Sequence, residues 1–214
     1  MNHDTILSAL NWRYATKKYD PTKKISASDW NVLAESLRLA PSSYGLQPWK
    51  FLVIENPKVR AELRPHSWGQ SAIEEASHLV VFTTLKKMTG QHIAKHVEQI
   101  AETRGVDVKS LEGFQTFMNQ KILQEKPLET HQGWNQRQAY IAMGFLLETA
   151  ALLKIDATPI EGITPEEYDK ILKLDQTEYA TVAVVALGYR AADDAYQSNK
   201  KSRFPLNQVI EYVK

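Results

Sequence analysis

Residues Thr181–Leu187 form an uninterrupted apolar run, TVAVVAL, which predicts a β-strand that is buried on both faces. Two other runs, Phe51–Ile54 and His78–Thr84, predict further buried strands. A long helix is predicted from about Trp134 to Leu153, because its apolar residues recur at helical spacing and nearly encircle it. Helices interleaved with three or four strands favour an α+β or α/β domain over a helix bundle or a β-sandwich.

Capping residues predict where shorter helices begin. Ser26 opens a helix that ends before Pro41, since the residue that precedes a proline is displaced from helical geometry. The pair Asn56-Pro57 places a capping side chain before a proline at the first helical position. Thr164 begins the sequence TPEE, whose spacing is that of a capping box and predicts a further helix.

Two segments are predicted to lie outside this central arrangement. Residues 89–124 are polar and helical in pattern, and we expect them to form a peripheral, mobile excursion. Gln208–Val213 has the pattern of a last strand with little local context, so it must dock elsewhere, with a partner subunit as one candidate. Because the chain shows no linker and no repeat, residues 1–214 are expected to form a single domain.

The composition argues against several classes of protein. A formal net charge of +1 disfavours a nucleic-acid-binding surface, which would be broadly basic. The absence of cysteine excludes disulfides, thiol catalysis and thiolate metal sites. The most apolar segment, Ile141–Leu153, is interrupted by Glu148 and is too short to span a bilayer, and the first residues lack a signal-peptide pattern. We therefore expect a cytoplasmic protein without a nucleic-acid or membrane partner.

Two basic clusters stand at opposite ends of this nearly neutral chain, at Arg13–Lys17 and at Lys200–Arg203. Arginine and lysine bind phosphate through charge-assisted hydrogen bonds, each of which contributes roughly 1.5–3 kcal/mol. If the clusters converge, they form one anion site, for which a phosphorylated cofactor is the natural ligand. Each cluster alone could equally be a solvated surface segment, the first after a helix and the second before the last strand.

Two further segments lie between the clusters. Ala40–Trp49 is an uncharged turn that contains Pro41–Ser43, and Pro159–Gly162 is an extended segment that ends in a glycine. Each has an ordinary structural explanation, as a turn that ends a helix or as a strand end where glycine supplies an uncommon backbone angle. Those explanations do not account for the joint occurrence of all these segments in this order.

With these segments in this order and spacing, the chain resembles the FMN-dependent nitroreductase family essentially from end to end. It is most similar to the branch of oxygen-insensitive NAD(P)H nitroreductases and dihydropteridine reductases. The matching segments are Arg13–Lys17, Pro41–Ser43, Gln47–Trp49, Glu75–His78, Pro159–Gly162 and Lys201–Pro205. The resemblance implies an α+β, nitroreductase-like fold with a central, mostly antiparallel sheet flanked by helices. The C-terminal strand is then a candidate for exchange across a homodimer.

The resemblance also implies which residues bind FMN. Arg13, Ala15, Lys201 and Arg203 would hold the phosphate. Lys17 would lie near N1 and the C2 carbonyl of the isoalloxazine, where an ammonium group stabilises the negative charge of the reduced ring. The full set of implied cofactor-binding residues is Arg13, Tyr14, Ala15, Lys17, Pro41, Ser42, Ser43, Gly45, Gln70, Pro159, Ile160, Glu161, Gly162, Lys201 and Arg203.

Further implied contacts surround the ring. Pro159–Gly162 would lie along it, with the backbone N–H of Glu161 directed at N5. Pro41–Ser43 and Gly45 would reach the same flavin from the other subunit, so the homodimer would be obligatory. The chain departs from the branch at Gly45, where an asparagine is common, and before the second strand, where only Gln70 can supply the amide contact.

The excursion over residues 89–124 would shape the substrate channel. Tyr44 and Phe117 would cover the exposed face of the flavin and select among substrates. The aromatic residues that could instead be core fillers are Tyr44, Trp68, Phe114 and Phe117. His92 and His96 are four residues apart on one predicted helical face, but no glutamate follows His92 as in a zincin motif, and we expect no metal site.

The activity implied by the resemblance is that of a homodimeric FMN oxidoreductase. Hydride would pass from NADH or NADPH to the flavin and then to a nitroaromatic, quinone or related acceptor at the same face, in a ping-pong scheme. Since the cofactor carries this chemistry, no catalytic acid or base is expected. Two alternatives remain open from the sequence, a flavin-binding sensor or interaction protein without turnover and a dehalogenase-type flavoenzyme.

Overall fold

The computed structural model describes residues 2–214, which form one four-stranded sheet with helices on both faces. Its strands are β1 (Trp49–Val53), β2 (His78–Leu85), β3 (Asp156–Ile160) and β4 (Tyr179–Gly188). They lie in the order β1-β2-β4-β3, and every neighbouring pair is antiparallel. The expected α+β class with an antiparallel sheet is confirmed.

The helices alternate with the strands along the chain. They are α1 (His3–Trp12), α2 (Ala27–Arg38), α3 (Pro57–Leu63), α4 (Ala72–Glu75), α5 (Gly90–Arg104), α6 (Glu112–Met118), α7 (His131–Leu152), α8 (Pro165–Ile171) and α9 (Leu206–Val209). A single π-helical turn over Asn119–Gln124 continues α6.

The two central strands, β2 and β4, are buried on both faces, as the apolar runs predict. Val80 and Phe82 of β2 pack into a core with α2 and α7, while Leu79 and Val81 point the other way into a core with α3, α4 and α8. Alternate residues of β4 divide between the same two cores. This arrangement is typical of a sheet covered by helices on both sides.

Helix α7 crosses the larger core, but one of its faces is exposed. Its residues Ala139, Ala142, Met143, Leu146 and Ala150 belong to that core, as the periodicity predicts, whereas Tyr140, Ile141 and Phe145 are each 40% or more exposed. These three lie on the side of the helix opposite Leu146 and Ala150, which are fully buried. No helix within residues 2–214 is long and apolar enough to cross a membrane.

Two of the three predicted caps form. Ser26 Oγ accepts a hydrogen bond from the Asp29 backbone N–H, and the Asn56 side chain accepts one from Lys58. The predicted capping box at Thr164 is wrong, because its side chain makes no cap hydrogen bond. Helix α8 nevertheless starts at Pro165, where the missing N–H of proline costs nothing.

The excursion has a small core of its own. Ile93 and Val97 of α5, Met118 of α6 and Ile122 of the π-turn form a cluster that also contains Leu46, from the turn before β1. All five side chains are at most 1% exposed. The excursion is therefore packed against the turn that it covers.

The C-terminal segment does not form the predicted strand. Residues 206–209 form the short helix α9, and residues 210–214 have no regular structure. The side chains of this tail, Tyr212 and Val213 among them, are exposed in the single chain. Within one protomer, residues 208–213 therefore do not pair with any strand of the sheet.

Candidate functional site

The two basic clusters meet at one cavity of about 580 Å³, formed between the end of α1 and the segment that follows β4. The side chains that line it are Asn11, Trp12, Arg13, Tyr14, Ala15, Lys17, Arg190, Tyr196, Gln197, Asn199, Lys200, Lys201 and Arg203. Among these described lining residues there is no aspartate and no glutamate. The cavity therefore has an excess of positive charge.

Apart from Arg190, which pairs with Asp156, none of the lysines and arginines that line this cavity has an ion-pair partner among the described residues. Burial lowers the pKa of Arg13, and the neighbouring Arg203 lowers it further. Burial and the two arginines also lower the pKa of Lys201. The Nε atom of Arg13 is buried and has no hydrogen-bond partner within the part of the chain that the structure describes. A buried donor of a charged group without a partner is costly, and an anion in the cavity would supply the missing acceptor.

Lys201 connects the two clusters directly. Its Nζ donates hydrogen bonds to the backbone carbonyls of Leu10 and Arg13, at the C-terminal end of α1. These carbonyls are left without intrahelical partners at a helix end, and a lysine there also complements the helix dipole. An ammonium group has three N–H donors, so one remains for a ligand in the cavity.

Asp194 holds the first cluster in shape. Its carboxylate accepts hydrogen bonds from the backbone N–H of Lys17 at 2.9 Å, from that of Lys18 at 3.3 Å and from the Tyr14 hydroxyl at 3.0 Å. Burial would raise the pKa of Asp194, but backbone hydrogen bonds from Tyr196, Lys17 and Lys18 outweigh it and lower the pKa. The residue is not part of any motif, and nothing in the sequence distinguishes it from a surface aspartate.

A buried ion pair joins the same cluster to the sheet. Asp156, the first residue of β3, accepts hydrogen bonds from Arg190 at the end of β4 and from the Thr16 hydroxyl at 3.1 Å. The Arg190 guanidinium lies 4.4 Å from the ring centroids of both Trp12 and Tyr14. These contacts orient the cavity wall, and none of them was anticipated from the sequence.

The segment Pro159–Gly162, which includes the end of β3, is not among the residues that line the cavity. It continues β3 beyond the ion pair, and Gln70 Nε2 lies 3.4 Å from the Gly162 carbonyl. A Cβ atom at Gly162 would come within 2.7 Å of the Trp68 ring. Trp68 is 82% exposed, so it is not a core filler. Glycine at position 162 thus allows the indole to lie directly on the backbone.

Tyr140 binds the side chain of Glu161. Its hydroxyl donates to Glu161 Oε1 at 2.5 Å, and burial together with this carboxylate raises the pKa of Tyr140 to about 12. The phenol is therefore a neutral donor at physiological pH. It joins the exposed face of α7 to the segment that follows β3.

The turn Pro41–Trp49 lies apart from the cavity within one chain, and none of its residues is among those that line it. Ser43 donates its backbone N–H to the Gln138 side chain at 2.8 Å. Tyr44, 41% exposed, makes an edge contact with Phe117, 44% exposed, at a ring-centroid distance of 6.1 Å. Phe114 is also more than a third exposed, so the alternative that these aromatics are core residues is wrong.

Gly45 has a physical reason to be glycine. Its φ angle is +71°, in the left-handed region that glycine and asparagine tolerate best. A Cβ atom there would lie 3.3 Å from His96. The departure from asparagine therefore keeps the backbone geometry, since both residues adopt this conformation.

His92 and His96 are hydrogen-bond donors to this turn. His92 Nε2 lies 2.6 Å from the Leu46 carbonyl, and His96 Nε2 lies 3.1 Å from the Tyr44 carbonyl. Because a carbonyl can only accept, each Nε2 carries the proton. Within residues 2–214, no group of three or more side chains is placed to hold a metal ion.

The chain is thus an α+β protein with an antiparallel sheet between helices and a cationic cavity built from both of its ends. Among known families, the nitroreductase family model matches residues 10–189. The chain belongs to the nitroreductase family.

Relatives of similar length support this assignment. A protein of Staphylococcus saprophyticus, provisionally named an NAD(P)H nitroreductase, is 36% identical over 98% of this chain and 97% of its own. A Staphylococcus haemolyticus protein with the same provisional name is also 36% identical, over 98% of both chains.

Solved structures share the whole fold. A provisionally assigned nitroreductase of Bacillus subtilis superimposes with a TM-score of 0.87 at 19% identity, over 99% of this chain and all of the other. Another, from Exiguobacterium sibiricum, was solved in complex with FMN and has a TM-score of 0.81 at 21% identity, over 100% of this chain and 98% of its own. The confirmed fold is therefore nitroreductase-like.

Proposed function

We propose that this protein is a homodimeric FMN-dependent oxidoreductase that takes reducing equivalents from NADH or NADPH. The observation that carries the proposal is the buried, partnerless Nε of Arg13 in a cavity where Lys201 and Arg203 add positive charge. A phosphate monoester carries a charge of roughly −1.5 to −2 at neutral pH and presents several acceptor oxygens. The names of the staphylococcal relatives and the FMN complex of the Exiguobacterium protein agree with this ligand.

The residues around the cavity fit FMN. Arg13, Ala15, Lys201 and Arg203 would bind the phosphate, with Tyr14 closing the wall through its bond to Asp194. The bound flavin would supply hydride transfer between NAD(P)H and an acceptor such as a nitroaromatic, a quinone or a pteridine, in a ping-pong sequence. The protein itself would bind the flavin, orient its ring and adjust its reduction potential.

The last residues of β3 and the two that follow it would orient the ring. In the proposed site Pro159, Ile160 and Gly162 lie along the flavin, and the backbone N–H of Glu161 is directed at N5. The Glu161 side chain accepts a hydrogen bond from the neutral Tyr140 hydroxyl, which ties this residue to α7. Gln70 would offer its amide to the pyrimidine edge from beside Gly162.

The proposed dimer is supported by the exposed face of α7. Tyr140, Ile141 and Phe145 form an apolar stripe on a helix that otherwise packs in the core. Exposed apolar stripes of this kind are typical of protein interfaces. Burying this face against a second copy would also let Pro41, Ser42, Ser43 and Gly45, which do not reach the cavity of their own chain, approach the partner's flavin.

Phe145→Glu is expected to convert the dimer to monomer at micromolar concentration, because it places a charge in the proposed interface. FMN binding should fall with it, since part of the site would come from the partner. Light scattering coupled to size exclusion measures the mass, and fluorescence titration measures FMN binding. Val53→Glu is a matched control, because Val53 is an exposed valine at the end of the edge strand β1. A dimeric Phe145→Glu variant would contradict the proposed interface.

Lys17→Met is expected to lower the reduction potential of the bound flavin by on the order of 30–60 mV, the equivalent of about 1.4–2.8 kcal/mol for a two-electron couple. The ammonium group of Lys17 lines the cavity and would stabilise the negative charge of the reduced ring. Lys18→Met is the control, since Lys18 pairs with Asp193 outside the cavity. Equal potentials in Lys17→Met and wild type would show that the lysine is not beside the ring.

The visible spectrum of the purified protein tests the activity itself. We expect the absorption of bound flavin, rapid bleaching on mixing with NADH or NADPH, and recovery of the absorption on adding a quinone or nitroaromatic acceptor. A flavin that binds but keeps its colour for many minutes with both nucleotides would favour the sensor alternative. A protein that takes up no FMN would overturn the proposal.

A further inference from the structure

The turn that precedes β1 is strained. Tyr44, Gly45 and Gln47 have φ angles of +57°, +71° and +44°. For the two non-glycine residues this left-handed conformation is unfavourable and persists only where surrounding contacts impose it. The turn therefore depends on groups outside it.

Both imidazoles of α5 supply such contacts. His92 donates to the Leu46 carbonyl at 2.6 Å and His96 to the Tyr44 carbonyl at 3.1 Å, so they bracket Gly45. The spacing of four residues puts them on one face of the helix, one turn apart. From the other side, the Gln138 side chain of α7 accepts the backbone N–H of Ser43.

Helix α5 also packs against α6, the helix that carries Phe117. Ile93 and Val97 of α5 are fully buried against Met118 of α6, next to Phe117. Because α5 and α6 share this core, the two histidines fix the turn relative to α6. The edge contact between the Tyr44 and Phe117 rings is set by this geometry.

We propose that His92 and His96 are positioning residues that set the size of acceptor the enzyme admits, by holding Tyr44 against Phe117. This inference rests on the proposed function and adds to it that these two aromatic side chains cover the flavin, as the family resemblance implies. Both rings are partly exposed and neither is locked in the core, so their separation depends on the backbone that carries Tyr44. Loosening that backbone widens the entrance without removing any group that touches the cofactor.

The test compares two double variants with wild type and with a control. His92→Leu/His96→Leu removes both donors, whereas His92→Gln/His96→Gln keeps an N–H that can reach a carbonyl. Lys95→Leu changes an exposed residue of α5 that lies between the two histidines. The selectivity ratio is kcat/KM for a bulky polycyclic quinone divided by kcat/KM for benzoquinone.

In the leucine variant we expect this ratio to rise by about tenfold, the equivalent of about 1.4 kcal/mol. In His92→Gln/His96→Gln the selectivity ratio should return at least part of the way to the wild-type value. In Lys95→Leu it should equal the wild-type value. An unchanged ratio in the leucine variant overturns the proposal. So does an equal change in the leucine and glutamine variants, which would mean that the imidazole ring itself, and not its hydrogen bond, matters.

Hydrogen exchange of the flavin-free protein gives a second readout. The backbone N–H groups of Gly45 and Leu46 are hydrogen-bonded within the turn, to the carbonyls of Ser42 and Ser43. We expect both to exchange about tenfold faster in the leucine variant, and at wild-type rates in Lys95→Leu. Unchanged exchange in His92→Leu/His96→Leu would overturn the positioning role of the two histidines, whether or not the protein binds FMN. A wild-type protein that shows no flavin chemistry would overturn the proposed function alone.

Discussion

Arg13→Gln/Arg203→Gln is expected to weaken FMN binding by roughly 10²- to 10⁴-fold. Each replacement removes charge-assisted hydrogen bonds to the phosphate, which contribute roughly 1.5–3 kcal/mol apiece. Riboflavin, which lacks the phosphate, should bind the variant and wild type with similar affinity. Titration calorimetry with both ligands measures the difference, and the FMN affinity of wild type should also fall more steeply with salt.

The same substitution should leave the flavin-free protein at least as stable as wild type. Arg13 is partly desolvated beside Arg203, and both effects lower its pKa, so its charged form is disfavoured in the folded protein. No hydrogen bond of the Arg13 Nε holds the fold together, because that atom has no partner within the described residues. These arginines would destabilise the protein without ligand and stabilise its complex with FMN. This behaviour is expected of a binding site and not of a structural ion network.

Arg38→Gln is the matched control for this pair. Arg38 is an exposed arginine that pairs with Glu35 on its own helix, three residues away. Its loss should change neither FMN nor riboflavin affinity. If the double variant loses FMN and riboflavin affinity equally, the arginines do not bind the phosphate, and the assignment of the cavity is wrong.

The sequence predicted well the features that depend on local pattern. The TVAVVAL strand, the caps at Ser26 and Asn56 and the long helix α7 follow from hydrophobic periodicity and short-range hydrogen bonding. The prediction of a strand at Gln208–Val213 was wrong because alternation of apolar residues indicates a strand only where another strand can pair with it. The predicted capping box at Thr164 was wrong because proline alone is sufficient to start the helix.

Long-range contacts explain what the sequence could not reveal. Asp194 and Asp156 stand more than 130 residues from the backbone and hydroxyl groups of the first cluster that they bind. An aspartate on the surface and one that organises a loop have the same local sequence. The spacing of His92 and His96 placed both on one helical face, but the carbonyls that they bind lie on another segment, so the sequence could not reveal these hydrogen bonds.

Asp156→Asn is expected to lower the free energy of unfolding by about 3–5 kcal/mol, since removal of one partner leaves the charge of a buried pair uncompensated. The Asp156 side chain is only 3% exposed and Arg190 19%, so solvent screens the pair weakly. Asparagine has nearly the same shape, which separates loss of charge from loss of packing. Its amide N–H groups would also face the Arg190 donors, so a second contact becomes repulsive.

Urea unfolding of the flavin-free protein, at one fixed protein concentration because the proposed dimer would contribute to stability, measures the Asp156→Asn effect. Glu35→Gln breaks an exposed pair and should cost less than about 1 kcal/mol. FMN affinity should fall in Asp156→Asn and not in Glu35→Gln, because the single amide oxygen of asparagine cannot serve both Arg190 and Thr16 as the carboxylate does, and the first cluster is then held less firmly to β3. A loss of stability below about 1 kcal/mol would mean that water compensates Arg190. The phosphate site would then owe its shape to Asp194 and Lys201, whose bonds to the same loop remain intact.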